Sequence, residues 1–395
     1  MISFKTFLIE TYDDQHVGHM THFEDAGHES GHAGAEHSLA ALEGMHDHIA
    51  SGKNNSQLST KVDGGVSVLT GRHPTTGKPF VAYKGAIGNI GTEHEKGILH
   101  SHADIDKHFK DKPYLKDKMK TVLDHAHKVL PYHGVYQGDV LHTGEKGDVK
   151  HDKSRVSVTP NTITYSAKKG STEGKKLADS KLGIAFHTVY HKDEHGGLHA
   201  LPVDRADFKH HDDVYNLSTS NDTARAHYPL EKQAEFKNHL EAAKQIHNTG
   251  SHEMYRAVSP MGDHIGTHIN KTVREGNKPS TEGLKSHIHS QYQKQIDKLK
   301  TEKGKSGKIA QRDSQLRHVD THANHFDNYF KMHGHVQAAK NTLVHVLNKA
   351  DYPLEHHIDG RKTQPEGYVS YHSGKPLKAV DRSEFSAANF AKARD

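Results

Sequence analysis

Ser59-Thr60-Lys61-Val62-Asp63-Gly64-Gly65-Val66-Ser67-Val68-Leu69-Thr70-Gly71-Arg72 joins a lysine to a glycine doublet inside a run of strand formers. Val62, Val66, Val68 and Leu69 favour extended backbone, while Gly64 and Gly65 permit a tight bend and a close approach of the chain to a ligand phosphate. A lysine that opens such a strand is expected in a pocket, not on a solvated helix face. A lysine amine becomes a nucleophile only once its ammonium has lost a proton, which partial burial beside other cations favours. The alternative for Lys61-Val62-Asp63-Gly64 is a surface turn ahead of a hairpin.

Further stretches extend the pattern. Phe80-Val81-Ala82-Tyr83-Lys84-Gly85-Ala86 again runs from strand to Lys-Gly, with Thr75-Thr76-Gly77-Lys78 as the hairpin turn before it. Gly134-Val135-Tyr136-Gln137-Gly138-Asp139-Val140-Leu141 is an apolar strand around Gly-Asp, and Leu182 to Tyr190 is a second that carries Phe186. Near the C-terminus stand Pro365-Glu366-Gly367-Tyr368-Val369 and Pro376-Leu377-Lys378-Ala379-Val380. In this order the stretches resemble the motifs of the covalent nucleotidyltransferase superfamily, the ATP-dependent DNA and RNA ligases and mRNA capping enzymes. They are most similar to the RNA ligase-like proteins of T-even-type phages.

That resemblance implies an α+β fold, a ligase-type adenylation (nucleotidyltransferase) domain of antiparallel sheets with flanking helices, here interrupted by a helical insert. It implies Lys61 as the nucleophile that attacks the α-phosphorus of ATP, with Lys378 beside that phosphate. Asp63, Gly64, Arg72, Lys84, Asp139, Phe186 and Glu366 become the cofactor-binding set. In it Asp139 meets the ribose, Phe186 stacks on adenine, Arg72 and Lys84 hold the ribose or outer phosphates, and Glu366 takes Mg²⁺ or its waters. The implied partner is a nucleic acid with 5′-phosphate and 3′-hydroxyl ends. The chain departs from the pattern at Asp139, where glutamate is usual, and in the long stretch between Phe186 and Glu366. It also ends soon after Lys378, without a stretch for the oligonucleotide-binding barrel that DNA ligases and capping enzymes carry there.

Composition sets bounds on this reading. At 395 residues, 32% hydrophobic and without tryptophan, the chain has length for two or three domains but a thin core. The formal charge of +4 is too small to argue for a nucleic-acid partner on its own. The absence of cysteine excludes disulfides, thiolate metal sites and cysteine catalysis, and fits a cytoplasmic protein, in the host if the chain is phage-encoded. The apolar N-terminal run meets Glu10, Asp13 and Asp14 too soon for a signal peptide or membrane span. The 41 histidines spread along the whole chain, as a compositional habit would place them, and give a net charge expected to rise as pH falls.

Taken in order, the chain divides into an N-terminal helical segment (1–57), a first catalytic part (58–202), a mainly helical insert (203–352) and a C-terminal catalytic part (353–395). Leu39, Leu42 and Met45 predict a helix over 36–49. His28-Glu29-Ser30-Gly31-His32 spells the zinc-protease pattern, but Gly27, Gly31 and Gly34 weaken the continuous helix that pattern requires. Met119, Val122, Leu123, Ala126 and Leu130 stripe a helix over 105–130, and 142–180 reads as long hairpin loops around two strands. In the insert, Phe236, Leu240, Ala243 and Ile246 line a helix ended by Asn248 and Gly250. Leu284, Ile288, Tyr292, Ile296 and Leu299 line a second, Leu316, Val319, Phe326 and Phe330 a third, and Val336, Leu343, Val346 and Leu347 a fourth. Lys285, Lys294, Lys298, Lys300, Lys303, Lys305, Lys308 and Arg312 face only Asp297 and Glu302, around a Gly-Lys-Ser-Gly loop. Such a stretch can track a phosphate backbone or be a solvated face.

Three functions fit these observations: an ATP-dependent polynucleotide ligase, a nucleotidyltransferase that does not seal strands, and a ligase-fold protein of nucleic-acid binding or virion structure without catalysis.

Overall fold

Two units, each with its own core, divide the chain in a computed structural model that describes residues 20–51, 57–92, 95–132, 134–192, 198–204, 207–219, 227–350 and 352–382. One holds Gln57–Asp222 and Ala350–Pro376, the other Thr21–Ser56, Thr223–Lys349 and Leu377–Asp395. The fold is mixed α and β with mainly antiparallel sheets. Against the expected boundaries, the β-rich part continues past 202 to 222, and Thr21–Ser56 and Leu377–Asp395 belong with the helices.

In the β-rich unit the chain forms β1 (Gln57–Lys61), β2 (Ser67–Arg72), β3 (Pro79–Tyr83), β4 (Ile98–Leu99), β5 (Val135–His142), β6 (Val149–His151), β7 (Arg155–Val158) and β8 (Thr164–Lys168). It continues with β9 (Leu182–Lys192), β10 (Leu198–Pro202), β11 (Val214–Asn216), β12 (Glu355–Ile358), β13 (Arg361–Thr363) and β14 (Gly367–His372), and β15 (Lys375–Ala379) follows at the boundary. A seven-stranded sheet runs β10-β9-β5-β2-β3-β4, with β11 parallel to β9. A five-stranded sheet runs β13-β12-β8-β7-β6, and β1-β14-β15 make a third. Gly77, at a φ of 67°, turns β2 into β3, as the Thr-Thr-Gly turn requires of its glycine.

The helix numbering starts with α1 (Ala26–Ser51), which belongs to the helical unit; α2 (His102–His108), α3 (Pro113–His125) and α4 (Thr172–Asp179) belong to the β-rich one. The single helix expected over 105–130 is thus two, because Pro113 forces Lys112 out of the helical region (φ −136°, ψ 68°). The stripe Leu115, Met119, Val122 and Leu123 packs with Val68, Val81, Tyr136, Val140, Ile184 and Phe186 in one buried core. Each such side chain contributes about 1.5–3 kcal/mol by leaving water. The supposed loop at Ser171-Thr172 instead opens α4, where the Ser171 hydroxyl accepts from the Gly174 N–H at 3.1 Å.

The helical unit adds α5 (Leu230–Val258), α6 (Gly262–Glu275), α7 (Thr281–Ile296), α8 (Glu302–Thr321) and α9 (Ala323–Leu347). Asn248 and Gly250 do not end α5, which packs along α1 and α9 over a length sufficient to override one glycine. Gly304 to Gly307 lie inside α8, begun by the Thr301 cap, and the third and fourth apolar stripes divide at His322, with Phe326 to Leu347 in one helix. Inside the bundle Lys340 donates to Glu24 at 2.8 Å and to the Val380 carbonyl at 2.6 Å, all fully enclosed. Arg382 donates to Asp25 at 2.8 Å. Among the described residues no helix is long and apolar enough to cross a membrane.

Candidate functional site

β1 pairs antiparallel with β14, and the register sets Lys61 opposite Gly367. Glu366, one residue before β14, thereby meets the Lys61 ammonium in an ion pair, with side chains 12% and 24% exposed. Two motifs from distant parts of the sequence are therefore neighbours through one ladder of backbone bonds.

Beyond Lys61 the chain bends through Asp63-Gly64-Gly65. Asp63 is buried, and its carboxylate accepts from Asn161 Nδ2 at 2.8 Å and from the Thr162 and Ile163 amides at 2.8 and 2.9 Å. Its own N–H donates to the Tyr165 hydroxyl at 2.6 Å. Burial first, then the Asp63 charge, hold the Tyr165 phenol well above its ordinary range, so it stays a neutral donor and acceptor. Asp63 as placed is spent on fixing the bend. Gly64 lies against Asp139: a Cβ there would stand 2.2 Å from the Asp139 Cβ. Gly65 N–H donates to the Val140 carbonyl at 2.9 Å and Val140 N–H to Val66 at 2.9 Å, stitching the bend to β5.

Asp139 sits opposite Ser67 on β2 and Ala185 on β9. Its carboxylate lies 3.8 Å from His187 Nε2. The β5–β9 ladder slips at this point: Gln137 faces Thr188 while Gly138 faces Phe186, leaving His187 as the extra residue of a bulge. A bulge re-aims a side chain, and His187 is the one turned toward Asp139. Burial, with the Lys61 charge adding and Asp139 opposing, holds its pKa below the ordinary value, so the ring is a neutral imidazole. Tyr371 on β14 donates to the His187 carbonyl at 3.2 Å.

The remaining expected site residues divide. Phe186, proposed for adenine stacking, is 1% exposed, with its ring parallel to Phe208 at 5.4 Å and edge-on to Tyr136 at 6.2 Å. As placed it is a core aromatic, because the strand's alternation turns it into the α3 side of the sheet. Lys84 follows β3 directly after the Tyr83–Val68 pair, hence at the same end of the sheet as Ser67 and Asp139. Arg72 ends β2 five residues beyond Ser67, about 17 Å along the strand at the usual rise, and lies over the Tyr132 ring at 5.4 Å. Lys378 belongs to the residues of the helical unit, where its N–H donates to the Thr21 carbonyl at 2.9 Å.

What gathers in the β-rich unit is an amine on a strand end, a carboxylate on the neighbouring strand, and a second carboxylate with a neutral imidazole, beside a bend kept narrow by glycine. His187 and Tyr165 went unnoticed in the sequence: a bulge and a contact a hundred residues away leave no local trace. The zinc-protease spelling is undone by backbone. Ser30 (φ −130°) and Gly31 (φ 65°) interrupt α1, so His28 and His32 do not share a continuous helix face. His28 Nδ1 instead lies 2.8 Å from the Tyr329 hydroxyl. Among the described residues no group of three or more His, Asp or Glu side chains could hold a metal ion.

No curated protein and no solved structure matches the chain. Residues 17–394 match a family of unknown function, DUF6267, and on that match over nearly its whole length the chain belongs to this family.

Proposed function

We propose that the chain is an ATP-dependent, ligase-type nucleotidyltransferase that carries AMP on Lys61 and passes it to a polynucleotide end. The observation that supports this most is the Lys61–Glu366 pair across β1 and β14, with Asp139 and His187 beside it. In the first step the Lys61 Nζ, after losing a proton, attacks the α-phosphorus; the bond to pyrophosphate breaks and a phosphoramidate forms. The protein's share is positioning and charge neutralisation.

The donor set suits Mg²⁺ only as an ion carried in on the nucleotide. Two carboxylates, Glu366 and Asp139, leave most of its coordination to phosphate oxygens and water, which is how magnesium usually binds. An ion drawn to Glu366 would compete with the Lys61 ammonium for that carboxylate and so loosen the lysine. Asp139 is suited to a ribose hydroxyl, and Lys84 lies at the sheet end where outer phosphates would reach. The polynucleotide would need a 5′-phosphate and a 3′-hydroxyl.

A second reading, nucleic-acid binding or a virion role without catalysis, draws on the same pair: Lys61 already has a partner in Glu366. Incubation with α-labelled ATP and Mg²⁺, followed by denaturing electrophoresis, separates the two. Label that survives denaturation, is released by acid and is lost in Lys61→Ala is expected; absence of label with ATP and GTP alike would turn the assignment to the second reading.

A further inference from the structure

The lysine-rich stretch after residue 293 becomes, in the structure, one end of a helical hairpin. α7 and α8 pack together across the short connection 297–301. Lys294, Lys298, Lys300 and Lys303 are exposed there, and Lys308 lies 5.7 Å from the Tyr292 ring centroid. The nearby acids are already engaged: Asp297 accepts from Gln293 at 2.8 Å, Glu302 pairs with Lys305 at 2.9 Å and Asp313 with Arg312 at 2.8 Å. Among the described residues the five lysines Lys294, Lys298, Lys300, Lys303 and Lys308 form no ion pair.

Packing does not account for this concentration. In α8 only Val319 is buried, so the helix presents most of its surface to solvent. Farther down the same hairpin Lys285 is held by Glu282 at 3.1 Å and Asp320 at 2.7 Å, which shows how this hairpin neutralises a lysine where it does so. Among the described residues the five tip lysines have no such carboxylate, and like charges crowd one another at a standing electrostatic cost.

We propose that the α7–α8 tip is a docking surface for the sugar-phosphate backbone of a nucleic-acid strand. Lysines supply point charges on long stems and carry no base-reading geometry, so the contact is sequence-independent and driven by counterion release. A membrane surface is the poorer fit, because Ile309 is the one large apolar side chain exposed on α8 among the described residues, and insertion needs more. The surface deepens the polynucleotide side of the proposed function and rests on that reading for its biological sense, but its binding needs no lysine chemistry at residue 61.

The test uses the full chain, without ATP, and a fluorescently labelled single-stranded RNA oligonucleotide read by anisotropy across a salt series. Five phosphate contacts at a slope of about −0.7 to −0.9 each give a log–log slope of about −3.5 to −4.5, so raising salt from about 50 to 200 mM weakens binding on the order of 100-fold or more. Lys298→Glu/Lys300→Glu/Lys303→Glu is expected to remove most of the binding, and the milder triple glutamine variant to flatten the slope by roughly 2 to 3. Both keep the wild-type circular dichroism, since none of the three side chains is buried or paired. Absent or salt-insensitive binding by wild type, unchanged binding by both variants, or capture by phosphatidylserine vesicles with none by RNA would each overturn the proposal. RNA binding without adenylate labelling sinks the Lys61 assignment alone, and labelling without RNA binding sinks this one alone.

Discussion

The N–H of Asp63 donates to the hydroxyl of Tyr165 at 2.6 Å while the Asp63 carboxylate accepts from the turn that precedes β8. The bend beyond Lys61 is therefore held from both of its polar ends by one neighbouring strand pair. Tyr165→Phe leaves a buried amide without a partner and is expected to cost about 1–3 kcal/mol. Asp63→Ala strands three donors and is expected to cost about 2–4 kcal/mol. Urea midpoints measure both; a loss below about 1 kcal/mol for Asp63→Ala would show that the bend holds itself.

Gly64→Ala tests the close approach to Asp139. The added methyl has to displace the Asp139 Cβ, so about 1–3 kcal/mol of destabilisation is expected from overpacking. Adenylate labelling should fall at least tenfold in protein that is still folded, because Asp139 and its neighbour His187 both shift. Wild-type labelling in folded Gly64→Ala would remove Asp139 from the site.

Buried charge in the helical unit makes a different kind of claim. Lys340→Met leaves Glu24 enclosed without its nearest cation, with only the Arg382 guanidinium 3.9 Å away among the described ion pairs, for an expected loss of about 3–5 kcal/mol. Adding Glu24→Gln should restore most of it, since an uncompensated charge costs more than an absent pair. Lys340 also holds the Val380 carbonyl, so limited proteolysis near Val380 should quicken in the single variant. A single variant as stable as wild type would mean that water reaches this pair.

Histidines set the pH response of that unit. Burial, eased by Asp25 and reinforced by His333, lowers His28 to about 4, and burial with the His287 charge lowers His268 to about 4. His247, His287 and His335 are lowered too, each mainly by burial. Each takes up a proton more readily unfolded, at about 6.5, than folded. Their contribution is therefore complete above about pH 6.5 and is lost as pH falls from there, for His28 and His268 down to about 4. For His28 alone the loss reaches about 3 kcal/mol at pH 4. The urea midpoint of the helical circular dichroism should fall steadily between pH 7 and 5; a flat midpoint would place these rings in contact with solvent.

Lys61 and Glu366 were legible as separate motifs, because a strand, a glycine and a charged residue in series leave a local spelling. That they form an ion pair was not, since only the β1–β14 register brings them together. Phe186 and His187 show the sharper limit. The resemblance gives the aromatic to the ligand, but the register pairs Ala185 with Asp139, so alternation turns Phe186 to the opposite, core face, and the extra residue of the bulge, His187, is the one that faces Asp139. Leu240, Leu284, Ile288 and Val336 announced their helices through spacing. Gly250, Gly304 and Gly307 misled about the ends, because a weak helix former in a long packed helix is overruled by its neighbours.

Both units are stitched from segments far apart along the chain, and this imposes an order on the life of each molecule. A ribosome delivers Lys61 long before Glu366, so until Glu366 and the strand after it have emerged β1 has no β14 to pair with and the lysine lacks this carboxylate. The helical unit likewise waits for Val380 and Arg382 to reach Lys340 and Asp25. A nascent chain stalled before these residues therefore holds helices and hairpins but no assembled site, and whatever chemistry Lys61 performs waits until β14 has been made.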